Sequence, residues 1–254
     1  MTGWTLHIDG PASGAMNMAR DQSLLDAAEE SGATVLRLYS WSPHCLSLGR
    51  NEPAIKRYDR AVIESRGLDI VRRPTGGRAV WHARELTYAV AAPLSRFGGL
   101  AGAYREIHLL LADALRRLGA EPVLASAPER ASSLTAGACF ATSAGGELLV
   151  SEQKIVGSAQ LAQGTAFLQH GSVLLQDGQS LLSELAATDR PNPTTEVHLT
   201  GLLGRSIEFP EAAAAVEDAA RAAWGPPVDG NGRPHEPAAR HLERFSDPRW
   251  TWRR

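Results

Sequence analysis

The chain has 254 residues, 43% of them hydrophobic and 21% charged, the make-up of a globular protein with a sizeable core. That length favours one domain with a small appendage over two full domains. The formal net charge is −2, with no basic half and no run of like charges, so nothing electrostatic points to nucleic acid or an anionic membrane as partner. Only two cysteines occur, Cys45 and Cys139. The opening residues Met1-Thr2-Gly3-Trp4-Thr5 lack the basic start and apolar run of a secretion signal. No apolar stretch nears the roughly 20 residues that span a bilayer. The expected setting is the cytoplasm, where a thiol stays reduced and available for chemistry.

In chain order, residues 4–9 alternate as an edge strand, and residues 14–32 read as a helix closed by Ser31-Gly32. Residues 34–41 (TVLRLYSW) form a strand, and residues 45–49 another after the Ser42-Pro43 turn. Residues 69–73 make a short strand that runs into Gly76-Gly77. Leu86, Tyr88, Val90 and Ala92 alternate with Glu85, Thr87 and Ala89, the pattern of a half-buried strand. Residues 104–118 place Tyr104, Ile107, Leu111, Ala114, Leu115 and Leu118 at helical spacing, with Gly119 as the stop. Strands follow at 147–150, 154–159 and 165–175, and tight turns at Ser151-Glu152-Gln153 and near Gly164 suggest a meander. The last third reads as helices at 181–187 and 212–224, a Pro/Gly-rich linker at 225–234 and a short tail. This order suggests an α+β fold, with helices flanking a mostly antiparallel or mixed sheet. The expected organisation is one domain over residues 1–254, residues 225–254 being linker and tail packed on it.

Three segments carry residue types suited to chemistry. The run Arg72-Arg73-Pro74-Thr75-Gly76-Gly77-Arg78-Ala79-Val80-Trp81-His82 sets two glycines where backbone could approach a ligand, with arginines near for phosphate or carboxylate. Spacing alone favours a plain Gly-Gly turn with solvated arginines. Lys154-Ile155-Val156-Gly157-Ser158-Ala159-Gln160 holds a lone lysine among small and apolar residues, fit to polarise a carbonyl if desolvated. Its ordinary alternative is a surface lysine with a buried stem. Leu168-Gln169-His170-Gly171-Ser172 is expected beside that strand in a hairpin. Cys139, in Gly137-Ala138-Cys139-Phe140, is either a small buried hydrophobe or a nucleophile in a small-residue loop. Cys45 follows His44, but strand neighbours point to opposite faces, so Cys45 is read as structural.

Together these segments resemble the lipoate–protein ligase and octanoyltransferase superfamily, which is similar in fold to biotin–protein ligases. The loop RRPTGGRAVWH resembles the family's Arg-Arg-x-Thr-Gly-Gly loop, and KIVGSAQ with LQHGS its lysine strand and the strand after it. Weaker echoes lie at Asn17 to Asp21, Ser47 to Arg50, Arg244-Phe245 and Trp250-Thr251-Trp252. Asn51-Glu52 departs from the aromatic and Gln of many relatives. The absence of a Gly-Arg-Gly-rich loop speaks against the biotin branch.

The resemblance implies the biotin/lipoate–protein ligase catalytic-domain fold. It also implies one of two chemistries. Ligases activate lipoate with ATP and Mg²⁺ and pass it to a lysine on a carrier domain. Octanoyltransferases take octanoate from acyl carrier protein through a cysteine thioester and need no cofactor or metal. The third glycine and Gly-Asn-Leu of many ligases are missing after Gly76-Gly77, and Cys139 stands where the transferases place their nucleophile. That leans toward the transferase branch. Cys139 and Lys154 are then the catalytic pair. Arg73, Thr75, Gly76, Gly77, Arg78, Ala79, His82, Gly157, Ser158, Ala159, Gln169, His170 and Gly171 would bind substrate. Acyl carrier protein would be the donor, and the lipoyl domain of a 2-oxoacid dehydrogenase E2 or the glycine cleavage H protein the acceptor. An amidotransferase between carriers, an ATP-dependent ligase and a non-catalytic acyl- or carrier-binding homologue remain alternatives. Arg57, Arg60 and Arg105 are candidates for docking an acidic carrier.

Overall fold

A computed structural model describes residues 3–125, 147–178, 181–185, 197–228 and 236–253. Strand β1 (Thr5–Ile8) leads into helix α1 (Gly14–Ser31), then β2 (Val35–Tyr39) and β3 (Cys45–Leu48). Two short helices, α2 (Ala54–Arg57) and α3 (Arg60–Ser65), precede β4 (Asp69–Arg72), β5 (Val80–His82) and β6 (Glu85–Pro93). A 3-10 turn brings the chain to α4 (Leu100–Arg117) and β7 (Val123–Leu124). Next come β8 (Leu148–Val150), β9 (Gln153–Lys154), β10 (Val156–Gln163) and β11 (Ala166–Leu174). Helices α5 (Leu181–Leu185), α6 (Leu199–Leu203), α7 (Phe209–Trp224), α8 (Ala239–Ser246) and α9 (Pro248–Thr251) follow.

The main sheet runs β1-β2-β6-β11-β10, with β1 parallel to β2 and every other pair antiparallel. A second sheet, β4-β3-β5, and a small third one, β7-β8-β9, complete a mixed α+β architecture. Strand alternation sorts the core. Leu36, Leu38, Leu86, Tyr88, Val90 and Phe167 face α4 and α7, while Val35, Tyr39, Ala89, Ala91 and Leu168 face α1. Helix α1 starts with the Ser13 hydroxyl accepting from the Met16 N–H and stops at Gly32, whose φ of +73° a glycine adopts freely.

Four expectations are corrected. Strand β6 is buried on both faces rather than half-buried, because its small side, Ala89 and Ala91, lets α1 pack where solvent was expected. Helix α4 begins at Leu100, four residues before its periodic apolar run. The meander is two hairpins in two sheets: β8 and β9 turn at Ser151 and Glu152 (φ +50° and +63°), and β10 with β11 join the main sheet. Lys154 and Gly157 therefore sit on different strands, separated at Ile155. Lastly, α2, α3, α6, α8 and α9 were not foreseen as helices.

Candidate active site

The main sheet and the second sheet face each other across α1, and the alternation within each decides what enters the gap. Tyr39, Thr87, His170 and Ser172 come from the main sheet; Ser47, Arg73, Val80 and His82 come from the second. Met18 of α1 and Trp41 close the sides, and Gly157, Ser158, Ala159 and Gly171 supply the wall from β10 and β11. They line a small pocket that is partly open to solvent. Gly171 has no space for a side chain, since a Cβ there would strike the Gly157 carbonyl and lie 2.9 Å from the Tyr88 ring.

Two buried polar networks hold this cavity in shape. In the first, Asp21 accepts from Arg37 Nη1 (2.7 Å), the Tyr39 hydroxyl (2.8 Å) and His170 Nδ1 (2.8 Å). Burial opposes the Asp21 charge, but the His170 hydrogen bond and the Arg37 charge outweigh it and hold the carboxyl below its ordinary range. With Nδ1 so used, His170 Nε2 meets the Thr75 hydroxyl at 2.6 Å and ties the glycine loop to the main sheet. In the second network, Glu85 Oε1 accepts from His82 Nδ1 (2.6 Å), Thr87 (2.6 Å) and Ser172 (2.7 Å). His82 stacks on Trp41 with ring centres 3.9 Å apart, and its Nε2 lies 2.6 Å from the Ser47 hydroxyl.

The arginines of the loop act mainly on backbone. Arg73 reaches the cavity, yet its guanidinium donates to the carbonyls of Ser47, Gly76 and Arg78. Arg72, fully buried on the other face, donates to the carbonyls of Gly49 (2.7 Å), Glu52 (2.9 Å), Thr251 (2.9 Å) and Arg253 (2.9 Å). Gly49 lies directly under Gly77, too close for any side chain.

Of the residues expected to bind substrate, Arg73, His82, Gly157, Ser158, Ala159, His170 and Gly171 meet at the cavity. Thr75 stands one hydrogen bond behind it. Gly76, Gly77, Arg78 and Ala79 do not line it, and Gln169 turns away to donate to the Tyr88 hydroxyl at 3.0 Å. Tyr88, pushed up to about 12 by burial, shares the Ser158 hydroxyl with His108. Lys154 is buried and ion-paired with Glu147, outside the lining. Cys139 lies outside the described residues. Asn51 and Glu52 do not line the cavity either. Cys45 is enclosed in the core with its thiol pushed up by burial and the Asp69 carboxylate, while His44 is exposed, as expected for strand neighbours.

Sequence reasoning missed Asp21, Arg37, Tyr39, Trp41, Ser47, Glu85, Thr87 and Ser172 as parts of this site. Two signals were available: the lone arginine inside the apolar run TVLRLYSW, and Asn17 and Asp21 one helical turn apart in α1. Among the described residues, no three His, Cys, Asp or Glu side chains converge as a metal site, and no helix is long and apolar enough to cross a membrane.

Residues 13–219 match the model of the lipoyl protein ligase A/B catalytic domain, and the chain belongs to that family. A relative named octanoyltransferase LipM, from Exiguobacterium sibiricum, is 34% identical over 94% of this chain and 95% of its own length. Another protein of that name, from Kyrpidia tusciae, is 39% identical over 64% of this chain, which spans 62% of that relative's length. Among solved structures, a lipoate-protein ligase A bound with ATP superposes with a TM-score of 0.79 at 18% identity, covering 99% of both chains. A bi-partite lipoate protein ligase from Thermoplasma acidophilum, studied with its E2 lipoyl domain, gives 0.72 at 18% identity, covering 99% of this chain and 97% of that one. These two likenesses establish the fold.

Proposed function

We propose that this chain is an acyltransferase that moves an octanoyl group from acyl carrier protein, through a Cys139 thioester, to a lysine of a lipoyl carrier domain. The observation that carries it is the 34% identity to an octanoyltransferase over 94% of the chain. The walls of the cavity support it too: Met18, Tyr39, Trp41 and Val80 give apolar surface, and each buried methylene is worth about 0.8 kcal/mol. Chain length can be selected that way without any charge on the substrate.

In the first step the Cys139 sulfur attacks the donor carbonyl, the donor C–S bond breaks, and the carrier thiol leaves with the proton. In the second, the acceptor lysine amine attacks the new thioester, an amide forms and the Cys139 thiol is released. Two displacements replace one difficult step. The Lys154 ammonium would stabilise each tetrahedral oxyanion and help move the amine's proton. His82, oriented by Glu85 and Trp41, would shape the entrance with Arg73, while His170 and Thr75 keep the loop on the sheet. This reading needs no cofactor; a ligase would need ATP and Mg²⁺.

The test is intact-mass analysis after mixing the chain with octanoyl-acyl carrier protein without ATP, beside Cys139→Ser. An octanoyl adduct on the native chain alone, released by hydroxylamine, is expected. Carrier modification that appears only with free lipoate and Mg-ATP, with no adduct, would overturn the proposal in favour of a ligase.

A further inference from the structure

The net charge of −2 gives an acidic carrier no general attraction to this chain, so docking needs a local cationic surface. The candidates read from the sequence serve poorly. Arg57 and Arg60 are paired with Glu52 and Glu64, and Arg105 is on α4, which packs against the face of the main sheet opposite the cavity.

A different group of cations lies behind the glycine loop. The guanidiniums of Arg244 and Arg253 sit 3.7 and 3.5 Å from the centre of the Trp250 ring. Arg253 also donates to the Arg50 carbonyl at 3.0 Å, which brings a third arginine to the same place. Among the described residues no carboxylate pairs with Arg50 or Arg244. Glu52 is engaged with Arg57 and Tyr58, and Asp247 with Arg249. Burial and the nearby Arg50 charge both push the Arg244 guanidinium below its ordinary value. Arginine on tryptophan is also a pairing that protein interfaces favour.

This cluster is joined to the site. The Arg50 N–H donates to the Thr75 carbonyl at 2.8 Å, and the Thr75 hydroxyl holds His170 in the cavity wall. Arg72 grips the Arg253 carbonyl and is followed by Arg73, which reaches the cavity. A carrier bound on the cluster would stand at the back of the loop that shapes the pocket.

We propose that Arg50, Arg244 and Arg253, arranged around Trp250, form the docking surface for the acidic face of the acyl carrier protein that donates the acyl group. The inference rests on the transferase reading for its choice of partner.

The experiment compares the native chain with Arg50→Glu/Arg244→Glu in two measurements. The first is the affinity for octanoyl-acyl carrier protein across a sodium chloride series, which needs no turnover. The second is octanoyl transfer to a lipoyl domain from that donor and from octanoyl-pantetheine, a small thioester without a protein surface. The expected result is affinity weakened by about tenfold at low salt with a flatter salt dependence, and transfer from octanoyl-pantetheine kept within about twofold. Unchanged carrier affinity, equal loss with both donors, or weakened binding of the lipoyl domain alone would each overturn the docking site. If the native chain transfers octanoyl from neither donor, the transferase reading fails, while the affinity series still decides whether the cluster binds an acidic carrier.

Discussion

Lys154 and Glu147 face each other as a buried pair beside β8 and β9, and each carries part of the other's stability. Removing one member of such a pair strands the other in low dielectric, at roughly 3–5 kcal/mol, whereas replacing both by apolar residues is often neutral. Lys154→Ala is therefore expected to lower the melting temperature strongly and abolish transfer, which alone does not separate structure from chemistry. Glu147→Leu/Lys154→Met is expected to regain most of the melting temperature and still transfer octanoyl more than about 100-fold slower than the native chain. Recovery of transfer along with stability would remove Lys154 from the mechanism. Asp21 shows the same logic: one carboxylate satisfies Arg37, Tyr39 and His170 together, so the helix, the sheet and the cavity wall share one anion.

At the scale of elements, Asp26 joins α1 to β10 and α8 through Gln163, Arg240 and His241. Burial raises its pKa, but hydrogen bonds from Gln163, His241, Arg240 and Gln22 prevail and hold the carboxyl at about 2. An acid held below its unfolded value of about 3.9 adds stability that is complete above that pH and lost as pH falls through the folded value. Acid unfolding should therefore steepen between pH about 4 and pH about 2. Because Asp26 is partly exposed, its share is roughly 1 kcal/mol after screening. Asp26→Asn should lose that increment at neutral pH and show a flatter stability curve in this window by pH-dependent denaturant titration. A curve parallel to the native one would assign the acid sensitivity elsewhere, with Asp21 the first alternative. These joints also mark what the sequence could convey. Most strand positions, the extent of α1 and the stop of α4 were legible because alternation, helical spacing and glycine stops are local signals. The break at Ile155 was not, because a strand that changes sheets keeps its local pattern and alters only its partners. The cavity was half legible: Arg73, His82 and His170 stand out by composition, whereas Trp41 and Ser172, and Glu85 behind His82, acquire meaning only when two sheets meet.

For the molecule as a whole, the tail, expected to pack on the domain, is bound into its core. Phe245 belongs to the core between α1 and the sheet, Trp252 to the cluster around Leu46 and Leu48, and α8 lies along α1. The carbonyls of Thr251 and Arg253 also occupy two of the hydrogen bonds of the fully buried Arg72. Deleting residues 236–254 would open two apolar clusters and leave part of a buried guanidinium unsatisfied, at roughly 1.5–3 kcal/mol for each charged hydrogen bond and more for the aromatic rings. That sum rivals the whole stability of an ordinary domain. The truncated chain is expected to melt far lower and to lose transfer from octanoyl-acyl carrier protein and octanoyl-pantetheine alike, although no cavity-lining residue is removed. The charge-reversed Arg50→Glu/Arg244→Glu chain, in contrast, should lose only the protein donor. A peptide of residues 236–254 added in trans should restore both the melting temperature and transfer from octanoyl-pantetheine. If truncation leaves transfer from the small donor intact, the Arg72 clamp does not govern the loop, and the tail serves the carrier alone.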